Sequence, residues 1–355
     1  MKKPSLKDIA KITGVSPTTI SRVLNGKAKA YRISLPTNEL VVQTAAEIGY
    51  IPNQTARGLR LKKSHTIGLI LPNITNPFFS RIACAIENAA RSSGFSIILT
   101  DSQHDQNLEI ESIRMLMSRN VDGLIVLPMG QDENHLILVV ESGIPLVIAD
   151  RYFPDLNCPQ VISDNYQGAF NATEHLIDNN HKNIACIQGR QNTSVNNERL
   201  KGYKDAMEKH QLKVESTFIV GDDFGTKNGY VSMKILQSNH PRPTAIFAFS
   251  NLIALGALKA MRENNMEFPH DISMVSFDND QPLLEYLATP ITTVAQQTDE
   301  IGQIAFKLLM TLVNNNEEKT DVFDKEPKIV TLPTKIIKRE SVTRPKSTLS
   351  KSHIQ

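Results

Sequence analysis

Over the first fifty residues apolar positions recur with a helical period, broken twice by turn chemistry. Leu6, Ile9, Ala10 and Ile12 recur at helical spacing behind Ser5, which is placed to cap a first turn. Thr13-Gly14-Val15 breaks the pattern, and Gly14 supplies the permissive backbone of a tight turn. Ser16 caps a second helix that Pro17 can open without losing a needed hydrogen bond. That helix runs through Ile20, Val23 and Leu24 to a stop at Asn25-Gly26. A longer basic turn, Lys27 to Ser34, leads to a third helix carrying Leu40, Val41, Ala45 and Ile48, ended by Gly49-Tyr50-Ile51-Pro52.

From Ile67 the texture changes. Short β-branched runs occur at Ile67–Leu71, Ile97–Leu99, Gly123–Leu127, Leu146–Ile148, Ile184–Ile187, Ala245–Phe249 and Met274–Phe277. Helical stretches alternate with them: Phe79–Ser92, Glu109–Ser118, Tyr166–Asn179, Glu198–His210, Gly229–Leu236 and Leu252–Asn264. Such alternation implies parallel sheets covered on both faces. More than eight strands in about 280 residues suit two doubly wound lobes better than one sheet. The tail Lys338–Gln355 is basic and Ser/Thr-rich, and its last dozen residues are predicted to be disordered.

Composition narrows the class. A length of 355 residues favours two or three units, and 40% apolar residues suffice for real cores. No run approaches the ~18 apolar residues of a membrane span. The basic start Met1-Lys-Lys-Pro-Ser-Leu-Lys-Asp has no apolar segment behind it, so a cytoplasmic protein without a signal peptide is expected. Cys84, Cys158 and Cys186 are odd in number and far apart, which predicts buried reduced thiols, with neither a disulfide framework nor a metal site. Charge is uneven. Residues 1–63 hold twelve Lys or Arg against three Asp or Glu, a net of +9, so a chain total of +2 leaves −7 for the remainder. A basic head on an acidic body is what counterion release at a phosphate backbone requires.

Helix, glycine turn and second helix in a basic head form a helix-turn-helix, whose second helix enters the major groove. Its leading polar positions are Pro17, Thr18, Ser21 and Arg22, while Val15, Ile20, Val23 and Leu24 face inward. Arg22 is the expected base reader, since its fork can meet the two acceptors of a guanine. Thr18 can touch a thymine methyl or a phosphate, and Ser16, Thr19, Ser21 and Asn25 are expected at phosphates.

These residues carry a specific resemblance. The segments LKDIAKITGVSPTTISRVLNG and EIGYIPNQTARGLR resemble the lactose-repressor (LacI/GalR) family, with likeness extending to about Arg339–Val342. The resemblance implies a hinge helix that folds on operator DNA and enters the minor groove. The matching positions are Tyr50, Pro52, Asn53, Ala56, Arg57 and Leu59, with Leu59 as the implied wedge between base pairs. Its brevity agrees with folding only on DNA, because so short a helix does not hold alone in water. The turn Lys27–Ser34 departs from the pattern by being longer than in the founding member.

The resemblance also implies the fold class: an all-α helix-turn-helix head plus an α/β two-lobed periplasmic-binding-protein-like core of two doubly wound parallel sheets. The expected division is a DNA-binding head at 1–50, a hinge at 51–64, an effector-binding and dimerisation domain at 65–342, and a tail at 343–355. Within the large domain an N-lobe is expected at about 65–164 and 293–325, and a C-lobe at about 165–292 and 326–342. A ligand would lie in the cleft between the lobes. Matched residue by residue, Phe78, Phe79, Asp150, Arg199, Phe224, Asn251, Asp278 and Gln296 form the implied effector site. Paired carboxylates, amides and an arginine suit vicinal hydroxyls, and a Phe suits the C–H face of a sugar. Arg151 and Arg190 could contact an acidic sugar or be surface charges.

The expected function is therefore a repressor that binds operator DNA as a homodimer and responds to a sugar or sugar derivative, without a cofactor. A purine-type ligand or a protein co-effector remains open. An enzyme on the same lobes lacks a Gly-x-Gly-x-x-Gly, a Walker loop or a Gly-x-Ser-x-Gly elbow. A transport binding protein would need a signal peptide in place of the basic head.

Overall fold

In the computed structural model, which describes residues 4–50, 63–130, 132–279, 284–315 and 329–346, the chain divides into the units Met1–Ser64 and His65–Gln355. The first unit holds α1 (Leu6–Thr13), α2 (Pro17–Leu24) and α3 (Leu35–Glu47) around Ile9, Ile20, Val23, Val41 and Ala45. Asp8 reaches back to accept the Ser5 backbone N–H at 2.8 Å, and Ser16 Oγ accepts the Thr19 N–H at 3.2 Å. Gly14 takes a φ of 70°, which frees the chain to turn between α1 and α2. Ile12 departs from expectation and is 60% exposed, because 100° per residue carries it off the stripe of Leu6, Ile9 and Ala10. The hinge positions Pro52, Asn53, Ala56, Arg57 and Leu59 lie outside the described residues.

The second unit contains two six-stranded sheets of matching order. The first lobe carries β1 (Thr66–Leu71), β2 (Ser96–Asp101), β3 (Gly123–Val126), β4 (Leu146–Ala149), β5 (Gln160–Ser163) and β11 (Ile329–Leu332), ordered β11-β5-β4-β3-β1-β2. The second carries β6 (Ile184–Ile187), β7 (Ile219–Val220), β8 (Ala245–Ala248), β9 (Ser273–Phe277), β10 (Thr292–Ala295) and β12 (Lys335–Ile337), ordered β12-β10-β9-β8-β6-β7. All pairings are parallel except β10 with β12. The central strands are buried apolar runs, as helices on both faces require.

The helices of the first lobe are α4 (Pro77–Ser92), α5 (Gln106–Ser118), α6 (Asn134–Glu141) and α11 (Thr298–Asn315); those of the second are α7 (Asn165–Asp178), α8 (Ser194–Lys209), α9 (Thr226–Ser238) and α10 (Asn251–Glu263). The chain crosses between lobes three times: after β5, between β10 and α11, and between β11 and β12. Two expected boundaries move accordingly. Residues 293–295 stay with the C-lobe, because β10 pairs with β9, and residues 329–332 return to the N-lobe, because β11 pairs with β5. Pairing partners of short strands far apart in sequence decide these crossings, and the local pattern does not encode them.

The tail begins later than expected. Thr343 donates its N–H to Ser273 Oγ at 3.0 Å and its carbonyl accepts from His181 Nε2 at 2.7 Å, while Lys346 pairs with Asp271 at 2.7 Å. Residues 347–355 lie outside the described residues. Cys158 and Cys186 are buried, as expected, but Cys84 is exposed on the outer face of α4. No helix among the described residues is long and apolar enough to cross a membrane.

Candidate functional site

In the head, α2 presents Pro17, Thr18 and Arg22 as exposed side chains, with Thr19 and Ser21 half-buried beside them. Ile20 and Val23 point the other way into the core, so the exposed face of α2 is fixed by only a few buried contacts. Ser16 spends its hydroxyl on the α2 N-terminus and on Thr19 Oγ1 at 2.9 Å. Asn25 ends α2, its side-chain amide donating to the Ser21 carbonyl at 2.5 Å. Tyr50 packs half-buried against the core formed by the three helices.

In the large unit the implied effector residues come from both lobes. Asp150 follows β4 and Asp278 follows β9, each buried and each with positive φ, 74° and 70°. Non-glycine residues held there are strained, and such strain concentrates at functional sites. Between them lies Arg199, on the first turns of α8. Gly202 makes that placement possible: a Cβ there would sit 2.3 Å from the Tyr166 carbonyl oxygen, so glycine lets α8 lie against α7. The Arg199 guanidinium donates to Asn165 Oδ1 at 2.8 Å and to the Phe249 carbonyl, and stacks 3.6 Å over the Phe277 ring.

These ionisable groups are set against one another in a dry place. Burial pushes the Asp150 carboxyl up to about 6, against the fields of Arg151 and Arg199, which favour its charge. Burial also raises Asp278, opposed by Arg199, by a 2.6 Å hydrogen bond from Gln296 Nε2 and by the Asn251 backbone N–H. Arg199 is brought down to about 10 by burial, with Asp278 and Asp150 pulling it back, and stays charged at neutral pH. Asp150, Arg199, Asn251, Asp278 and Gln296 are thus one cluster.

Arg151 joins that cluster, and its role was open from sequence. It is buried, it donates to the Met129 carbonyl, and its field acts on Asp150. Met129 is itself held by its N–H donating to Glu109 at 2.7 Å, and Glu109 bonds His135 Nε2 at 2.6 Å. The residue type does not distinguish a buried Arg151 from a surface one; the sequence signal lies in its place beside Asp150, after the apolar run of β4. Arg190 is half-buried and close enough to lower the Arg151 pKa.

The aromatic expectations divide. Phe224 is half-buried and its ring lies over Gly189, where a Cβ would be 2.2 Å from it. Phe78 and Phe79 are almost fully buried, edge to face at 5.2 Å, and belong to the N-lobe core with Ile82 and Ile86. Near the cleft, Tyr152 of the N-lobe donates its N–H to Ser194 Oγ of the C-lobe at 3.1 Å and its hydroxyl to Glu198 at 3.3 Å. These residues, with Arg151 and Thr193, line a cavity of about 310 Å³ between the lobes.

Three buried polar atoms of the cluster find no hydrogen-bond partner among the described residues: Arg151 Nε, Asn251 Nδ2 and Gln296 Oε1. Unpaired buried polar groups are costly, so these two donors and one acceptor are open to a further partner. Among the described residues no three His, Cys, Asp or Glu side chains gather to hold a metal ion.

Comparison with known proteins spans nearly the whole chain. A family model described as bacterial regulatory proteins, lacI family, matches residues 5–53, and one described as periplasmic binding proteins and sugar binding domain of LacI family matches residues 64–331. The chain is 32% identical to an HTH-type transcriptional repressor PurR of Vibrio campbellii, over 92% of this chain and 97% of that one. It is 31% identical to a ribose operon repressor of Haemophilus influenzae, over the same shares of each, 92% and 97%. Among solved structures it matches a lac repressor dimer bound to operator and the anti-inducer ONPF, with a TM-score of 0.84, 25% identity, and coverage of 96% of this chain and 100% of that one.

Proposed function

The chain belongs to the LacI family of bacterial regulatory proteins and is a DNA-binding transcriptional repressor with an effector-binding domain; from that premise we propose that its effector is a neutral saccharide bound between the lobes. The observation that carries this reading is the make-up of the buried cluster. Asp150 and Asp278 are matched by Arg151 and Arg199, so the site is close to electrically balanced without a charged ligand. Its unpaired atoms ask for a partner that both accepts and donates, which a hydroxyl does at each position. An ionised carboxylate could satisfy Arg151 Nε and Asn251 Nδ2 but has no proton to give Gln296 Oε1. Phe224 supplies an apolar face for sugar C–H groups.

The placement of the cluster on both lobes supports a mechanism based on lobe closure. A homodimer holds two heads on a pseudo-palindromic operator, with Arg22 reading a base. A ligand that bridges Asp150 and Asp278 favours the closed lobes over the open ones. It shifts operator affinity by its difference in affinity for the two states, and induction is the sign we propose for a sugar.

The test is a thermal-shift screen of the full-length chain against neutral sugars, sugar acids and nucleobases. A neutral sugar at 100 times its dissociation constant should stabilise the large unit by about 2.7 kcal/mol. Stabilisation by a nucleobase or a sugar acid, with none by neutral sugars, would overturn the reading.

A further inference from the structure

The turn between α2 and α3, expected from sequence to be longer than in the family's founding member, is a built element. Lys27 donates its N–H to the Arg22 carbonyl at 2.9 Å, and Ile33 to the Ala28 carbonyl at 2.9 Å. Tyr31 N–H reaches the Lys27 carbonyl at 3.2 Å and Arg32 N–H the Lys29 carbonyl at 3.2 Å. Ala28 and Ile33 pack half-buried on the core of the head, and Arg32 turns the chain with a φ of 51°. The turn is therefore anchored at both ends and shaped in the middle.

What it holds up is an aromatic ring. Tyr31 is 49% exposed in a segment otherwise rich in Lys and Arg, so burial does not account for it. Its ring lies 4.0 Å from Cζ of Arg22, the foremost base-reading candidate on α2. A guanidinium stacked on a ring uses its face, while its N–H donors lie in its plane and point past the ring edge. Stacking on Tyr31 and donating to the two acceptors of a guanine are therefore compatible at the same moment.

We propose that Tyr31 is a positioning residue for DNA readout: carried by the lengthened turn, its ring holds the Arg22 guanidinium in a limited set of orientations before DNA arrives. An exposed arginine otherwise loses much rotamer freedom when it docks in the groove, and ordering it beforehand removes part of that cost. The inference rests on Arg22 as a base reader, and the experiment separates the two.

The full-length chain is used to select its preferred duplex from a randomised pool. Affinities are then measured for that duplex, for its single-base-pair variants and for an unrelated duplex, with the wild type, Arg22→Ala, Tyr31→Ala and Tyr31→Phe. Arg22→Ala should flatten preference at one or two base pairs. Tyr31→Ala should weaken the selected duplex about two- to fivefold, the scale of an exposed cation–π contact, and flatten preference at those same base pairs. Its affinity for the unrelated duplex should not change, and Tyr31→Phe, which keeps the ring, should match the wild type. A uniform loss on every duplex would make Tyr31 a phosphate or folding residue and overturn the proposal. An equal loss in Tyr31→Phe would assign the effect to the hydroxyl and overturn it too. If Arg22→Ala leaves all base preferences intact, Arg22 is not the reader, and the role given to Tyr31 falls for that separate and visible reason.

Discussion

Asp150 in the N-lobe and Asp278 in the C-lobe stand at equivalent places. Each follows the third strand in its sheet order, each has a positive φ, and each donates its backbone N–H at 3.0 Å to the next strand, to Val161 and Val294 respectively. Their carboxylates are treated differently. Asp278 is fixed by Gln296 at 2.6 Å and by the Asn251 N–H, whereas Asp150 is held by the fields of Arg151 and Arg199. Fields attract without fixing direction, while hydrogen bonds do both. On the proposed reading, the C-lobe would offer a ligand a pre-oriented acceptor, and the N-lobe one whose direction is not yet set.

The largest effect should come from the group both carboxylates share. Arg199→Ala would leave two buried carboxylates without that cation and should destabilise the ligand-free large unit by about 3–5 kcal/mol. Urea unfolding of the full-length variant measures this. A loss well under 1 kcal/mol would mean that both carboxyls are already neutral and that the comparison is misdrawn.

Next in size is a pH effect that belongs to Asp150. Its carboxyl, raised from an ordinary 3.8 to about 6, keeps its proton in the native state where the unfolded chain has lost it. Stability therefore falls as pH rises from about 4 to 6 and is lowest above 6, an unfavourable contribution of about 3 kcal/mol at neutral pH. Asp278 is shifted in the same direction and adds to the trend. Asp150→Asn cannot ionise, so the ligand-free variant should gain less stability than the wild type when pH drops from 7 to 4. Parallel pH profiles for the two proteins would show that Asp150 is ionised throughout.

For ligand, the order of the two aspartates reverses. Asp278→Ala removes a fixed, charged acceptor and should weaken saccharide binding by about 1.5–3 kcal/mol, leaving operator affinity in the absence of ligand intact. Asp150→Ala should cost less. Titration of each variant with the sugar found by thermal shift decides it, and equal losses would erase the distinction between the lobes.

Much of this arrangement is legible in the sequence, because it sits at strand ends. Asp150 and Asp278 end buried apolar runs, and a polar residue at the carboxyl end of a parallel strand faces a cleft. Seven strands of the lobes are visible as short apolar runs, and six helices as the longer stretches that alternate with them. What stays hidden lacks a local signal. The helix Asn134–Glu141 reads His-Leu-Ile-Leu-Val-Val, a continuous apolar run with no helical period to distinguish it from a strand. The two misplaced boundaries depend on which distant strand β10 and β11 choose as a neighbour. Phe78 and Phe79 show the limit of spacing alone: a core helix and a site wall can share it, and both rings pack with the N-lobe core.

The smallest effect is the most discriminating, because its two components oppose each other before ligand binds. Gln296 donates one hydrogen bond to Asp278 and leaves its own Oε1 buried without a partner among the described residues. Gln296→Leu removes the hydrogen bond, which costs about 1.5 kcal/mol and lets the Asp278 carboxyl rise further. It also removes the unpaired acceptor, whose burial costs a comparable amount. Ligand-free stability should therefore change by less than about 1 kcal/mol. With saccharide bound, the acceptor has found its partner and the offset is gone, so affinity should drop by the larger figure of about 1.5 kcal/mol. Urea unfolding and ligand titration of the same variant read the two numbers side by side. If ligand-free stability falls as far as ligand affinity, the Gln296 carbonyl oxygen is not waiting for a sugar hydroxyl, and the C-lobe is no better prepared for ligand than the N-lobe.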